Sequence, residues 1–263
     1  MAELIVIKIG GNIIDDEAKL SSFLQQFAAV EGKKILVHGG GKIATRIGDK
    51  LGIESKYTDG RRITDAETID LVTMVYGGLI NKKIVASLQA AGCNAVGVTG
   101  ADMNLLPAVR RPVKETDFGF VGDVNSSDIP VANWGVLLEN GFIPVVAPLT
   151  HDSQGHLLNT NADTIAQETA RALTKAYTVS LVYSFEKPGV LLDAGDESTV
   201  IPAIDPAYYG RLKEEKKIFA GMIPKLDNAF AALQSGVQKV IIGNAEELPA
   251  LLKSEKGTSI IHG

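Results

Sequence analysis

The segment LIVIKIGGN at residues 4–12 decides the fold. Its first six residues are apolar except for Lys8, a composition typical of a strand that a parallel sheet buries on both faces. Gly10 and Gly11 follow directly, and glycine lets the backbone turn tightly and approach a ligand. Because ligands of open α/β sheets lie beyond the carboxyl ends of the strands, these residues predict a phosphate-binding edge. A solvated lysine followed by a plain turn would give the same pattern.

The strand–glycine–helix order recurs in KILVHGGGK at residues 34–42. Gly40 and Gly41 expose N–H groups where a helix begins, which favours an anion. The segment is not a Walker A loop, because Lys42 is followed by an isoleucine. It also matches a dinucleotide pattern through residues 39–44, with Asp59 near the distance of a ribose-binding acid. A nicotinamide-dependent oxidoreductase is therefore an open alternative at this point, although no apolar strand leads to Asp59.

Outward from these two segments, β-branched runs alternate with amphipathic helical patterns, which indicates an α/β fold with a mainly parallel sheet. Thr64 and Glu67 have capping-box spacing and predict the start of a long helix towards Leu88. Residues 110–133 lack a clear period and predict a hairpin-bearing excursion over the substrate side. The order of motifs places a lobe boundary near Tyr177.

Three polar motifs add candidate site residues. Arg61 and Arg62 precede the long helix as a candidate carboxylate clamp, since guanidinium groups bind carboxylates in a bidentate manner. Residues 159–163, NTNAD, hold more polar side chains than one helix cap requires. In GMIPK, residues 221–225, Lys225 stands at a helix start where the helix dipole disfavours a cation, and this makes it a functional candidate. Solvated arginines, a helix cap and a surface lysine are the alternatives.

Composition limits the class of protein. The 263 residues carry a net charge of -5 and no block of five or more like charges, so a nucleic-acid partner is not expected. One cysteine, Cys93, cannot build a disulfide framework, which favours a reducing cytoplasm. The N-terminus has no signal-peptide pattern, and polar residues interrupt the long uncharged stretch at 84–101. Neither a leader nor a membrane span is expected.

Taken together and in this order, the motifs of residues 6–12, 37–41, 59–64, 140–146, 159–163 and 221–225 resemble the amino acid kinase family. The resemblance implies a three-layer αβα sandwich with an open, mainly parallel central sheet. It implies transfer of a phosphoryl group from ATP, with Mg²⁺, to the side-chain carboxylate of N-acetylglutamate or N-succinylglutamate. It further implies a cytoplasmic homodimer with an acylglutamate-binding lobe at 1–177, which also dimerises, and an ATP-binding lobe at 178–263.

The resemblance also assigns roles to individual residues. Lys8 and Lys225 would stabilise the transferring phosphoryl group, and Asp163 would orient both lysines. Arg62 would bind the substrate α-carboxylate and Asn159 the other side of the substrate. The resemblance also implies that backbone N–H groups near the phosphates are supplied by Gly10, Gly11, Gly40 and Gly41. It implies that the nucleotide is bound by Glu186, Gly189, Ile218 and Phe219. No protein-bound metal site is expected.

Three departures from the family pattern carry hypotheses. Phe185-Glu186 stands where the family usually has a Ser- or Thr-Asp pair, so the adenine-side contacts differ. Arg61 replaces a common leucine that faces the acyl group, which predicts a second carboxylate there and hence a succinyl substrate. The first strand begins near Leu4 without a preceding helix, so arginine feedback and hexamers are not expected. A non-catalytic sensor on the same fold is a further alternative.

Overall fold

The computed structural model describes residues 1–58, 60–215, 217–218 and 222–262. Within these ranges the strands are β1 (Glu3–Ile9), β2 (Lys33–His38), β3 (Tyr57–Thr58), β4 (Arg61–Arg62), β5 (Ala95–Val98), β6 (Ala108–Arg110), β7 (Gly122–Val124), β8 (Ile143–Val146), β9 (Leu149–His151), β10 (Leu157–Asn159), β11 (Thr178–Phe185), β12 (Ala203–Ile204), β13 (Lys239–Asn244) and β14 (Thr258–Ile260). The α-helices are α1 (Gly11–Asp15), α2 (Glu17–Ala29), α3 (Gly41–Leu51), α4 (Ala66–Val72), α5 (Asn81–Ala90), α6 (Val131–Glu139), α7 (Ala162–Leu173), α8 (Pro206–Glu214), α9 (Ile223–Gln234) and α10 (Leu248–Leu252).

Eight of these strands form one sheet in the order β12-β14-β13-β11-β1-β2-β8-β5. Neighbouring strands pair in parallel, except that β14 runs antiparallel to β13. The mainly parallel central sheet predicted from the alternating patterns is therefore confirmed. β1 lies between β11 and β2, which explains why nearly all of its residues are apolar.

Two apolar clusters cover the two faces of this sheet. One contains Trp134 of α6 and Ile165 of α7, and the other contains Phe23 of α2 and Ile84 of α5. Helices thus lie on both faces, and the αβα sandwich is confirmed. The sheet runs without a break from β1 to β11, across Tyr177, so the division into two lobes at that residue stays a prediction.

Strand periodicity decides the direction of the Lys8 side chain. Leu4 and Val6 belong to the cluster that includes α7, whereas Ile7 and Ile9 belong to the opposite one. Because alternate side chains of a strand share a face, Lys8 lies on the same side of the sheet as α7. The Lys8 side chain is thereby directed towards α7, the helix that begins at Ala162 within the NTNAD motif.

The long helix predicted after Thr64 exists, but its start and its interior differ from the prediction. Its N-cap is Asp65, which accepts a hydrogen bond from the Thr68 amide at 2.9 Å. The predicted Thr64 cap is wrong, because the backbone of Thr64 pairs with the hairpin instead, where it bridges to Gly119. A π-helix at Thr73–Ile80 joins α4 to α5. The sequence gives no periodic signal for it.

This helical stretch, Ala66–Ala90, is the one segment in the described part of the chain that is long and apolar enough to cross a membrane. Its 25 residues include a window with a mean hydropathy of 1.2, and 44% of that window is buried inside the structure. Core helices of soluble proteins meet the same two criteria. Val72 and Ile84 show the burial, since both are inaccessible to solvent within the second apolar cluster.

Candidate active site

A cavity of about 280 Å³ opens at the carboxyl ends of the central strands. Parallel strands end at one edge of the sheet, so the segments that follow β1, β2 and β8 meet there. Eight of the predicted site residues line this cavity: Lys8, Gly11, Gly40, Gly41, Arg61, Arg62, Asn159 and Asp163. The structure therefore brings together residues that are up to 155 positions apart, from Lys8 to Asp163.

Asp163 contacts both predicted lysines. Its Oδ1 atom lies 2.7 Å from Lys8 Nζ and its Oδ2 atom 3.5 Å from Lys225 Nζ. The Lys8 side chain is 13% exposed and that of Lys225 is 36% exposed, so the second ammonium group is the more hydrated one. One carboxylate thus holds two cations beside the cavity.

The pKa of Asp163 reflects this arrangement. Burial by itself would raise the pKa, but the charges of Lys8 and Lys225 outweigh burial and lower it below 3.8. Asp163 is also in the first turn of α7, where the helix dipole favours an anion. The cap of α7 is Asn161, whose Oδ1 atom accepts from the amides of Asp163 and Thr164. Asn161 therefore caps the helix, and Asp163 is available for the lysines.

The glycine loop between β2 and α3, residues 39–41, presents its backbone to the cavity. Gly40 has a φ of 152°, and a Cβ atom there would lie 2.3 Å from Ile80 Cδ1. Only glycine fits this conformation and this contact. No side chain caps α3, so its first N–H groups have no intrahelical or side-chain acceptor. At the end of β1, the Gly10 amide donates to Ser184 O at 2.8 Å and ties β1 to β11.

Arg62 is buried against the first turn of α3. Its Nη2 atom donates to Gly41 O and to Thr45 Oγ1, both at 2.9 Å, and its Nη1 atom contacts Ser55 Oγ. The guanidinium group also stacks on the ring of Tyr57 at 4.9 Å. These contacts fix the plane of the guanidinium group at the cavity wall.

Asn159 and Arg61 line the cavity from other elements. Asn159, at the end of β10, donates from Nδ2 to Thr64 Oγ1 at 3.0 Å. Thr64 thus supports a candidate substrate residue instead of capping a helix. Arg61 belongs to the short β3–β4 pair, is exposed, and is one of the residues that line the cavity.

Arg111 and Tyr76 also line the cavity and were missed by the sequence analysis. Arg111 follows β6, and its guanidinium group makes a two-pronged contact with Asp123 of β7. The predicted hairpin is present, since β6 and β7 pair antiparallel. The opposite charges of Arg111 and Asp123 were visible in the sequence. Only the pairing of β6 with β7 makes these two residues neighbours.

The predicted nucleotide-side residues are more dispersed. Phe185, at the end of β11, has its ring 5.5 Å from Lys225 Nζ, and Glu186 follows it half-buried. Gly189 is buried, and a Cβ atom there would lie 2.7 Å from Thr258 Oγ1. Ile218 is buried in the first apolar cluster. Phe219 and Gly221 lie outside the described residues, as does Asp59.

The donor set indicates how a divalent cation would be held. Among the described residues, no three His, Cys, Asp or Glu side chains are grouped so that they could hold a metal ion. The one carboxylate at the centre of the site, Asp163, is already engaged by two lysines. A Mg²⁺ ion that keeps most of its ligands as waters and phosphate oxygens fits these residues, whereas an all-protein cage does not.

Comparison with known proteins gives consistent matches. The model of the amino acid kinase family matches residues 3–244. The chain is 55% identical to acetylglutamate kinase of Bacteroides fragilis over 98% of this chain and 97% of that one. It is also 55% identical to acetylglutamate kinase of Cytophaga hutchinsonii, over 99% of both chains. The fold is similar to that of carbamate kinase from Giardia lamblia bound to AMP-PNP, with a TM-score of 0.71, 13% identity and coverage of 100% and 99%.

Proposed function

This chain belongs to the amino acid kinase family, and from that premise we propose that it transfers the γ-phosphoryl group of ATP to the side-chain carboxylate of N-acetylglutamate. The observation that carries the proposal is the pair of ammonium groups, Lys8 and Lys225, on one carboxylate beside an uncapped glycine loop. Two cations next to exposed N–H groups suit the negative charge that develops on a phosphoryl group in transfer. The product would be an acyl phosphate.

The chemistry requires charge neutralisation rather than a base. A carboxylate nucleophile is ionised at neutral pH, since glutamate has a pKa near 4.3. Lys8 and Lys225 would stabilise the negative charge that spreads over the transferring oxygens, and the amides of Gly11, Gly40 and Gly41 would donate to the same oxygens. Asp163 would hold both ammonium groups in place. Mg²⁺ bound to ATP would neutralise phosphate charge when present.

The substrate would lie along the opposite wall of the cavity. Arg62 is fixed by Gly41 O and Thr45, and a fixed guanidinium plane favours bidentate binding of the α-carboxylate. Asn159 would donate to the substrate from β10. On the nucleotide side, Gly10, Glu186, Gly189, Ile218 and Phe219 stay predictions.

The alternatives are less well supported. Family membership gives no support to a nicotinamide-dependent oxidoreductase. A non-catalytic sensor would have no need for two lysines held on one half-buried carboxylate. The deciding experiment traps the product: with Mg-ATP and N-acetylglutamate, hydroxylamine should convert the acyl phosphate to a coloured hydroxamate. Absence of hydroxamate with all acidic amino acids and their N-acyl forms would sink the proposal.

The acyl group has a second candidate. Arg61 and Arg111 both line the cavity in addition to Arg62, so a substrate with an extra carboxylate, N-succinylglutamate, would find a cation there. We expect kcat/KM for the succinyl form to fall in Arg61→Leu more than kcat/KM for the acetyl form. A wild-type preference for the acetyl form that Arg61→Leu leaves unchanged would remove Arg61 from acyl recognition.

Assembly and location belong to the same proposal. A cytoplasmic homodimer that acts in arginine biosynthesis is the form that the family resemblance implies. Met74 and Leu79 support a partner surface on the predicted N-terminal lobe, because they are 57% and 40% exposed along the Ala66–Ala90 stretch. Sedimentation should give about twice the chain mass of 27.9 kDa, and Met74→Asp should lower it to that of a single chain.

A further inference from the structure

A buried histidine directly precedes the glycine loop and takes no part in the proposed chemistry. His38, the last residue of β2, is inaccessible to solvent. Its Nδ1 atom lies 2.8 Å from Gly39 O, and its Nε2 atom lies 3.2 Å from Nδ2 of Asn81, the first residue of α5. Both ring nitrogens therefore have a partner without any water.

The partners of Asn81 decide which nitrogen of His38 carries the proton. Asn81 Nδ2 also lies 2.9 Å from Val145 O, and a carbonyl oxygen can only accept. Lys82 Nζ lies 3.1 Å from Asn81 Oδ1, and an ammonium group can only donate. The amide orientation is thus fixed at both ends. Asn81 Nδ2 donates to His38 Nε2, so the proton is on Nδ1, which donates to Gly39 O.

Two further contacts hold Asn81 in this position. A Cβ atom at Gly97 of β5 would lie 1.9 Å from Asn81 Oδ1, so only glycine leaves room for the amide. Lys82 Nζ donates to Gly97 O at 3.1 Å. On the other side, Asn81 directly follows the π-helix, whose Ile80 packs on Gly40. One helical stretch therefore contacts the glycine loop twice, through an apolar side chain and through His38.

Burial keeps this histidine neutral. Burial, with a smaller contribution from the charge of Lys82, lowers the pKa of His38 to about 4, although the hydrogen bond to Gly39 acts in the opposite direction. Lys82 is the charged group that acts on His38 among the described residues. The ring therefore has one proton throughout the range in which enzymes of this kind act, and Asn81 decides where that proton is.

We propose that His38, held as the Nδ1–H tautomer by Asn81, is a positioning residue for the glycine loop. The carbonyl of Gly39 and the N–H of Gly40 belong to one planar peptide unit and point in opposite directions. A hydrogen bond from His38 Nδ1 to Gly39 O therefore also fixes the direction of the Gly40 N–H, in a loop that lines the cavity. This role rests on the proposed function, in which that N–H donates to the phosphoryl oxygens.

The tautomer can be measured without any activity. The chain has four histidines, His38, His151, His156 and His262, so long-range ¹H–¹⁵N spectra of the imidazole rings are simple to assign, with His38→Asn as the assignment variant. We expect His38 to show the Nδ1–H tautomer and no titration between about pH 5.5 and 9. An Nε2–H tautomer, or titration in that range, overturns the proposal.

Asn81→Asp tests the positioning role, because the introduced carboxylate cannot donate to Nε2. It favours a proton on Nε2 and raises the pKa of His38. At low pH the doubly protonated ring keeps its bond to Gly39 O. At higher pH the ring keeps one proton, on Nε2 beside the introduced carboxylate. The lone pair of Nδ1 then faces Gly39 O, and the hydrogen bond to Gly39 O is lost. We expect kcat of this variant to fall about tenfold as pH rises, with KM for both substrates within about twofold, since small misplacements act mainly on the reacting geometry.

Two controls make the outcome specific. Asn140→Asp makes the same change at an exposed asparagine that contacts only Val136 O, and it should follow the flat profile of the wild type. The Gly40 amide resonance should shift with pH in Asn81→Asp and not in the wild type. Parallel pH profiles and pH-independent Gly40 shifts in both proteins would overturn the proposal. If the wild type forms no acyl phosphate, the proposed function fails, and the tautomer and the Gly40 shift still decide the positioning role.

Discussion

Lys8 and Lys225 contact the same carboxylate from two regions that are held in different ways. We call the first region, which comprises β1, residues 39–41 and the π-helix, the strand side. The second, which runs from Phe185 to α9, is the helix side. Lys8 lies on a strand paired on both edges, at 2.7 Å from Asp163. Lys225 lies in the first turn of α9 at 3.5 Å, and its side chain is nearly three times as exposed.

The polar contacts of the two sides differ in the same way. On the strand side they are made by buried side chains: Arg62 donates to Gly41 O, and His38 contacts Gly39 O. On the helix side the ion pairs Lys187–Glu197 and Lys213–Asp227 join side chains that are 43% to 59% exposed. Exposed pairs contribute little to stability, whereas buried networks fix geometry. These contacts therefore fix the geometry of the strand side more firmly than the two exposed ion pairs fix that of the helix side.

The largest expected effect is on catalysis by the two lysines. Lys8→Ala should lower kcat about 10³-fold and Lys225→Ala about 10²-fold, because the less hydrated cation stabilises developing charge more strongly. Steady-state kinetics with Mg-ATP and N-acetylglutamate measure both. Lys33→Ala, at a lysine that contacts Leu138 O and Glu139, is the matched control and should leave kcat unchanged. Equal losses of kcat in Lys8→Ala and Lys225→Ala would contradict the difference between the two sides. An unchanged kcat in either variant would exclude the substituted lysine from the mechanism.

The next effect concerns the packing of the glycine loop. Gly40→Ala should destabilise the protein by about 1–3 kcal/mol, since the new methyl group would overlap Ile80 and the backbone has a positive φ. Gly41→Ala is the comparison, because a Cβ atom there meets nothing within 4 Å. Urea unfolding of both variants measures the difference in the free energy of unfolding. Equal destabilisation would show that the tight contact with the π-helix is not what holds the loop.

A smaller effect follows from the pKa of Asp163. Because its folded pKa is below 3.8, its ionised form stabilises the folded state above that pH, and this contribution is lost as pH falls through the folded pKa. Asp163→Asn lacks the contribution at every pH. The gap between the two proteins in the free energy of unfolding should therefore be widest near neutral pH and narrow below about pH 4. A gap that stays constant down to acid pH would show that the two lysines do not depress this pKa.

The smallest effect is expected for an ion pair of the helix side. Lys187→Ala removes the contact with Glu197, and both side chains are about half exposed at 48% and 59%. The free energy of unfolding should change by less than about 0.5 kcal/mol, because the pair is hydrated and screened by salt. Thermal unfolding at low and high salt measures this. A loss as large as that of Gly40→Ala would show that the helix side is held as firmly as the strand side.

The strand side was also the region that the sequence predicted best. The apolar run of β1 and the glycines after β1 and β2 are local signals, and the residues that they singled out, Lys8, Gly40 and Gly41, line the cavity. The sequence singled out Asn161 and Asp163 only as members of one polar group. The structure shows that Asn161 caps α7 and that Asp163 contacts the lysines.

What the sequence could not predict depends on pairing between distant segments. Thr64 has the spacing of a helix cap, but its backbone bridges to Gly119, and Asp65 caps the helix instead. Arg111 contacts Asp123 because the register of β6 and β7 pairs Asp123 with Val109, two residues before Arg111, and no local periodicity reports that register. The π-helix is missed for a related reason, because an apolar stretch that is buried on several faces has no distinct period.

The π-helix between α4 and α5 gives the length of this segment a tolerance that a regular α-helix lacks. A π-helical turn holds one more residue than an α-helical turn, so losing one residue between Thr73 and Ile80 would let a regular α-helix continue. Because the wide turn would absorb the loss, α5 would keep its rotation about the helix axis, and Asn81 would keep its contacts with Val145 and His38. A deletion within α5 itself has no such turn to absorb it, and the residues beyond it would rotate by about 100° about the helix axis. Single-residue deletions are therefore expected to be accepted more readily in the π-helix than in α5.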